Sequence, residues 1–310
     1  MLTAAGTSVP QVENLFDALC SCLELASNQH LFLKAEGIEL MLLALKEGRY
    51  ASRGSLKALA AALSANGANC ERFVDIRGFK TLFPLLGGGP PPPPPFAKSR
   101  GEREAAQRAH DEHVLSIVAT LFHHLTDERR QRLLGKFAEE ELAKLTRLLG
   151  IRGAYEARVA AAEAAANAEL DEEEAAGGGA DDNDDERPSA EDRIYMARVD
   201  GGLHTLHLAE TVVGYLAASR VKQLRGAVLH GLYAQGRSLH DVHASIDEYR
   251  KVGGSARERS DKARERAFGA MGSEVEALLK KYAPAAAEAA AMGDGAAQGA
   301  DAAAEGAAEP

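Results

Sequence analysis

The chain has 310 residues, of which 26% are charged and 5% aromatic, and its formal net charge at neutral pH is −10. Much of the acid lies in two segments without a base, 169–186 and 284–310, and because the remainder is close to neutral, the protein lacks the strongly basic body expected of one that binds nucleic acid directly. Three cysteines make no disulfide framework, which indicates a reducing compartment, and no apolar run approaches the roughly 20 residues of a membrane span.

After a start over 1–10 that we expect to be disordered, residues 11–86 contain an internal repeat with a period of 41 residues. Armadillo and related helical repeats have periods of about 40–47 residues, so the pattern predicts two armadillo-type repeats. The fold class predicted is all-α, an armadillo- or HEAT-like repeat in which helix pairs stack as a right-handed superhelix. The matching positions are Asn28, Phe32, Leu33, Gly37, Ile38, Met41, Leu42 and Leu45 in the first copy and Asn69, Phe73, Val74, Gly78, Phe79, Leu82, Phe83 and Leu86 in the second.

Each copy of the repeat has a physical interpretation. Asn28 stands where a short helix would begin, so we expect it to cap that helix. Gly37 and Gly78 permit a sharp turn and a close approach of two helices. The first helix, 11–26, has no polar capping unit before it, which predicts self-association or a missing upstream neighbour. Four large side chains are predicted to be buried: Phe32, Phe73, Leu82 and Leu121.

The rest of the chain alternates between helical and low-complexity segments. Residues 87–109 are predicted to form a Gly/Pro-rich loop insertion, since a proline run breaks helices. Residues 110–160 read as a degenerate third repeat with Asp127 in the asparagine position, followed by a helix. Residues 161–192 are predicted to be an Ala-rich and then acidic disordered linker, 193–282 to hold C-terminal helical repeats or a cap, and 283–310 to be a disordered Ala/Gly tail.

Candidate chemistry is sparse. His204 with His207, and His240 with His243, are i,i+3 pairs that would share a helix face, so a metal site competes with ordinary partly buried histidines. Cys20 belongs to an apolar stripe, which favours a core cysteine over a redox or zinc pair with Cys22. No Walker loop, zincin motif, nucleophile elbow or Rossmann fingerprint is present, and neither an enzyme nor a cofactor is predicted.

Two further segments have competing interpretations. The run 90–95 is polyproline followed by Phe96, which suits an SH3, WW or profilin-like partner but also a tolerated loop expansion. The bases between Arg250 and Arg266 are interleaved with acids, which is typical of a solvated helical face with i,i+4 ion pairs and is less typical of an RNA-binding surface.

Six segments stand out in one order along the chain: ENLFDALCSCL (13–23), FLKAEG (32–37), NCERFVDI (69–76), EHVLSI (112–117), RLLGKF (132–137) and DGGL (200–203). With these segments the chain, from about residue 12 to 282, resembles the C-terminal half of the nuclear β-catenin-like family of spliceosome-associated armadillo proteins. The resemblance implies an armadillo scaffold in the nucleus that associates with the nineteen complex in pre-mRNA splicing. It also implies binding of splicing factors, including a Myb-type subunit, through basic localisation-type peptides.

The main hypothesis is therefore a non-enzymatic splicing scaffold, and the alternatives are a cytoplasmic adaptor that recruits a polyproline-binding partner and a histidine-dependent metal protein. Stacked repeats create an extended surface for peptides. Glu36 and Glu39 are the candidate acids for a basic peptide, whereas Arg77 and Lys80 take the equivalent places in the second repeat. We expect a groove of mixed sign.

Overall fold

The computed structural model describes residues 9–48, 51–87, 99–175, 188–253 and 256–301, and within these ranges every regular element is a helix. The prediction of an all-α fold is confirmed. The helices are α1 (Val9–Leu23), α2 (Ala26–Lys34), α3 (Gly37–Glu47), α4 (Ser52–Leu63), α5 (Gly67–Asp75), α6 (Phe79–Gly87), α7 (Arg100–His124), α8 (Asp127–Ala138), α9 (Ala143–Ala175), α10 (Ala190–Gly201), α11 (Leu203–Ala217), α12 (Lys222–Ala234), α13 (Leu239–Val252), α14 (Ala256–Arg259) and α15 (Lys262–Asp301).

The helices stack as three-helix units, so the predicted helix pairs are wrong, because each unit also contains a nine-residue helix, α2 or α5, before the glycine. Helices α2, α3 and α4 form the first unit and α5, α6 and α7 the second, and α8 and α9 begin the third. The 41-residue period relates α2 to α5 and α3 to α6, whereas the insertion before α7 places that helix further along the chain. One row of helices runs α1, α4, α7 and α11, with each helix packed on the next, and a second row runs α3, α6 and α9. Helix α15 then packs on both α7 and α11. The apolar side chains between the two rows form one continuous core.

The repeated phenylalanine and glycine form a matched contact in both units. A Cβ placed on Gly78 would lie 2.6 Å from the ring of Phe73, and one on Gly37 would lie 2.5 Å from the ring of Phe32. The predicted close approach at both glycines is therefore confirmed, because only a hydrogen leaves room for the ring. The left-handed turn itself falls on the preceding residue, Glu36 at φ 57° and Arg77 at φ 66°.

The repeated asparagine does not cap its own helix, so that prediction is wrong. Helix α2 begins at Ala26, and the Asn28 side-chain amide instead donates to the carbonyl of Cys22, at 2.8 Å. Asn69 donates in the same way to the carbonyl of Ala62, at 2.7 Å. Each asparagine thus donates to a carbonyl in the last turn of the preceding helix, where the carbonyls have no partner within that helix.

The predicted burial holds for three of four side chains. Phe73, Leu82 and Leu121 are buried, but Phe32 is only partly buried. Phe32 lies in the first unit, on which no earlier unit packs within the described residues. For the same reason Leu15, in the apolar stripe of α1, is 67% exposed.

Three predicted boundaries need correction. The loop predicted over 87–109 is wrong from Arg100 onward, because α7 begins there behind a Ser99–Glu102 capping box. The linker predicted over 161–192 is wrong up to Ala175 and again from Ala190, where α9 and α10 are helical. The tail predicted over 283–310 is wrong up to Asp301, where α15 ends, since alanine is the strongest helix former.

The helical part of the acidic segment is used in an interhelical contact. Glu173 near the end of α9 accepts two hydrogen bonds from the guanidinium of Arg193 on α10, at 2.7 and 2.8 Å. The predicted disorder of 169–186 is therefore wrong for 169–175. Parts of the predicted start, loop, linker and tail lie outside the described residues, namely 1–8, 88–98, 176–187 and 302–310.

A buried polar cluster joins α9, α11 and α12. Arg152 has no exposed surface, and its guanidinium donates to Glu210 at 2.9 Å and to Gln235 at 2.9 Å. Burial raises the pKa of the Glu210 carboxyl to about 7, although the charge of Arg152 acts in the opposite direction. Gln235 in turn donates to the carbonyl of Leu149, at 2.9 Å. The cluster therefore fixes α9 to α11 and to the end of α12.

Among the described residues, no helix has both the length and the apolar composition to cross a membrane.

Candidate protein-binding grooves

A continuous groove crosses three units along the outer sides of α3, α6 and α8; we call it the α3–α6–α8 groove. Its α3–α6 part has a volume of about 750 Å³ and its α6–α8 part about 410 Å³. Arg77 and Lys80 line both parts and so make them one surface. The first part is lined by Glu39, Leu42, Leu43, Leu45, Lys46, Ile76, Arg77, Lys80, Thr81, Pro84 and Leu85, and the second by Arg77, Phe79, Lys80, Arg132, Gly135, Lys136 and Glu139.

The structure separates the two predicted groove acids. Glu36 is exposed in the turn before α3 and does not line the groove. Glu39 does line it, but its carboxylate is already paired with the next unit, because Arg72 on α5 donates to it through Nε at 2.7 Å. Glu39 therefore offers little free negative charge to a basic peptide.

The bases of this groove are free by contrast. Lys46, Arg77, Lys80 and Arg132 are exposed, and none of them forms an ion pair with any residue that the structure describes. Lys136 is different because it is bound to Glu139, at 2.7 Å. Sequence reasoning found Arg77 and Lys80 but missed Lys46 and Arg132, which lie in different units and meet only through stacking.

The wall of the groove is apolar. Leu42 and Leu45 are buried beneath it, whereas Leu43 is 55% exposed and projects along the groove. Ile76, Pro84 and Leu85 complete this wall from the second unit. The groove thus combines free positive charge with an exposed apolar surface.

A second groove, of about 270 Å³, lies along α1, α4 and α7. Its charges are balanced: Lys57 donates to Asp17 at 2.6 Å, and Arg53 faces Glu13 and the carbonyl of Ala106. It is lined by Glu13, Phe16, Asp17, Arg53, Gly54, Leu56, Lys57, Ala106, Ala109, His110 and His113.

The histidines of the α1–α4–α7 groove are uncharged near neutral pH. Burial lowers the pKa of His113 to about 4, with smaller contributions from the charges of Lys57 and His110. Burial also lowers the pKa of His110, whose Nε2 lies 3.4 Å from the carbonyl oxygen of Leu85. This groove therefore carries no net charge that would select a charged peptide.

Residues of the two predicted histidine pairs lie beside an aromatic ring or a carboxylate of the neighbouring structure. The rings of His204 and His207 lie 5.8 and 5.4 Å from that of Tyr249, and His207 approaches Glu248 at 3.3 Å. In the second pair, His240 and His243, the ring of His243 approaches the carboxylate of Asp247, at 3.5 Å. In the part of the chain that the structure describes, no three His, Cys, Asp or Glu side chains are grouped to hold a metal ion.

The remaining sequence candidates divide as follows. Cys20 is buried, which raises the pKa of its thiol, and Cys22 is exposed, so the interpretation of Cys20 as a core residue is confirmed. The polyproline run 90–95 lies outside the described residues.

The basic stretch 250–266 is not wholly a solvated face. Arg264 is 2% exposed and lies over the rings of Tyr249 and Phe268, at 4.9 and 5.0 Å from their centroids. The expectation is therefore wrong for this residue. Arg250 pairs with Glu265 on the neighbouring helix, at 3.0 Å, and also with Asp247 one turn earlier on its own helix, at 3.4 Å.

Comparison with known proteins gives a consistent family. A family model with the description "Catenin-beta-like, Arm-motif containing nuclear" matches residues 7–247. Beta-catenin-like protein 1 of Rattus norvegicus is 36% identical over 251 residues, which cover 79% of this chain and 42% of the relative. The Homo sapiens protein of that name is 35% identical over the same coverage. The Schizosaccharomyces pombe homolog is 34% identical over 150 residues, 47% of this chain and 24% of the relative.

The chain thus spans less than half the length of the curated relatives it matches. The match nevertheless includes the two complete repeats, the α3–α6–α8 groove and the buried cluster around Arg152. This chain belongs to the nuclear, armadillo-motif-containing catenin-β-like family.

Proposed function

We propose that this chain is a non-enzymatic nuclear scaffold that binds splicing-factor proteins of the nineteen complex, including its Myb-type subunit, during pre-mRNA splicing. The observation that carries the binding role is the α3–α6–α8 groove, an open surface across three stacked units with free bases and an exposed leucine. Extended surfaces of this kind are what helical repeats use to bind peptides. The splicing context and the nuclear address rest on the family to which the chain belongs.

A non-enzymatic role also agrees with how the buried titratable groups are used. Arg152 and Glu210 join three helices, and His207 contacts Glu248 between α11 and α13. Because each of these groups already has a partner in helix packing, each has a structural explanation without a catalytic one.

For basic localisation-type peptides we propose weak binding by this chain alone, because Glu39 is bound to Arg72 and the four free bases would repel such a peptide.

The test is affinity capture from nuclear extract with the purified chain, followed by mass spectrometry. Splicing factors should dominate the captured proteins, and deletion of 90–95 should leave them bound. Capture dominated by SH3, WW or profilin-like proteins, and lost on that deletion, would instead support the cytoplasmic adaptor.

A further inference from the structure

The excess positive charge of the α3–α6–α8 groove arises because the two units differ at equivalent positions. Glu36 and Glu39 of the first unit correspond to Arg77 and Lys80 of the second. Along the same row the charge therefore changes sign, and α8 of the third unit adds Arg132. The resulting groove runs from Lys46 to Arg132 through the two bases of the second unit.

Nearby acids do not neutralise these bases. Glu39 is bound to Arg72, and Asp75 accepts two hydrogen bonds from Arg129, at 3.0 and 2.9 Å. Glu139 is bound to Lys136. Since these acids already have basic partners, the charges of the four free bases remain available to an external anion.

The groove also offers apolar contact. Leu43 is 55% exposed beside the free bases, and Ile76 and Leu85 of the second unit are partly buried in the same lining. Phe79, the one aromatic residue of the groove lining within the described residues, is only 5% exposed, so its ring cannot stack on a nucleotide base. An extended peptide therefore fits the surface better than single-stranded RNA does.

We propose that the α3–α6–α8 groove binds an acidic segment of a partner protein, with leucine-like residues spaced among its aspartates and glutamates. Its carboxylates would contact Lys46, Arg77, Lys80 and Arg132, and an apolar residue would pack on Leu43. This proposal rests on the proposed scaffold role in that the ligand is part of a protein. The proposed ligand is acidic and so has the opposite charge to the basic localisation-type peptides.

The test measures fluorescence anisotropy of a short labelled peptide of Glu, Asp and Leu with the purified chain. The variant Arg77→Glu/Lys80→Glu gives the second unit the residues of the first, where a glutamate already occupies the left-handed turn at φ 57°. The fold should therefore tolerate both changes, and circular dichroism should match that of the wild type. The matched control is Arg220→Glu/Lys222→Glu, which makes the same charge change at exposed residues near the start of α12.

The groove variant should bind the peptide about tenfold more weakly, because two attractions become repulsions, whereas the control should change affinity by less than about twofold. Added salt should weaken wild-type binding. A groove variant that binds as well as the control would overturn the proposal.

The apolar contact has its own matched pair. Leu43→Ser should weaken peptide binding about threefold, whereas Leu40→Ser should not, because Leu40 is equally exposed on α3, at 58%, but does not line the groove. Equal effects of the two changes would refute the apolar contact.

A short single-stranded RNA and a lysine-for-acid version of the peptide complete the test. RNA binding tighter than that of the acidic peptide, with the same loss in the groove variant, would assign the surface to nucleic acid and overturn the peptide proposal. If the basic peptide bound as tightly as the acidic peptide, the proposal of an acidic ligand would also be overturned. All of these measurements use purified components, so they can succeed even if the capture of splicing factors fails, and the reverse also holds.

Discussion

The contact between Phe73 and Gly78 predicts a non-additive pair of substitutions. Phe73 is fully buried, so Phe73→Ala should lower the free energy of unfolding by about 3–5 kcal/mol through lost contact and a residual cavity. Gly78→Ala places a methyl group where a Cβ would lie 2.6 Å from the ring. Because the buried ring cannot move aside, this change should cost about 1–3 kcal/mol.

In the double variant the ring is absent, so the alanine at position 78 meets no clash. It should then be neutral or stabilise by about 0.4–1 kcal/mol, since alanine restricts the unfolded chain more than glycine does. The two substitutions should therefore couple by about 2 kcal/mol. Urea denaturation followed by far-UV circular dichroism measures all four chains of the cycle.

The first unit provides the control. A Cβ on Gly37 would lie 2.5 Å from the Phe32 ring, but that ring is only partly buried and has room to move. Gly37→Ala should therefore cost less than about 1 kcal/mol. If the Phe73 and Gly78 changes add within about 0.5 kcal/mol, or if Gly37→Ala costs as much as Gly78→Ala, the packing argument is refuted.

Three further predictions address charge and exposed surface. Arg152→Met should cost about 3–5 kcal/mol in urea denaturation by leaving Glu210 buried without its partner, and adding Glu210→Leu should restore part of the loss; no recovery would contradict the pairing. Because burial lowers the pKa of His113 to about 4, the unfolded chain binds its proton first, so stability should be full above about pH 6.5 and fall as the pH drops towards 4, with a shallower fall in His113→Asn. The chain should self-associate in sedimentation through the exposed side of α1, and Leu15→Glu should give a monomer; a wild-type monomer at high concentration would count against this surface.

Local pattern was sufficient to predict the helical architecture. The 41-residue period fixes which residues repeat their environment, and the apolar spacing within each copy fixes the face that packs. The burial of Phe73 and Cys20 and the role of the two glycines follow from that pattern. The start of α7 was also available in the sequence, since Ser99 and Glu102 have the spacing of a capping box, but the neighbouring proline run directed the prediction to a loop.

The chemistry of the groove was decided by tertiary structure. The sequence shows Glu39 as a candidate acid, but only the stacking of units places Arg72, 33 positions later, against it. In the same way Arg129 binds Asp75 across 54 positions. The sign of a surface depends on which charges remain after such pairs form, and pairs between stacked units leave no periodic signal in the sequence. The sequence therefore determined the helices and their repeat, whereas packing determined which of its charges are free to bind a partner.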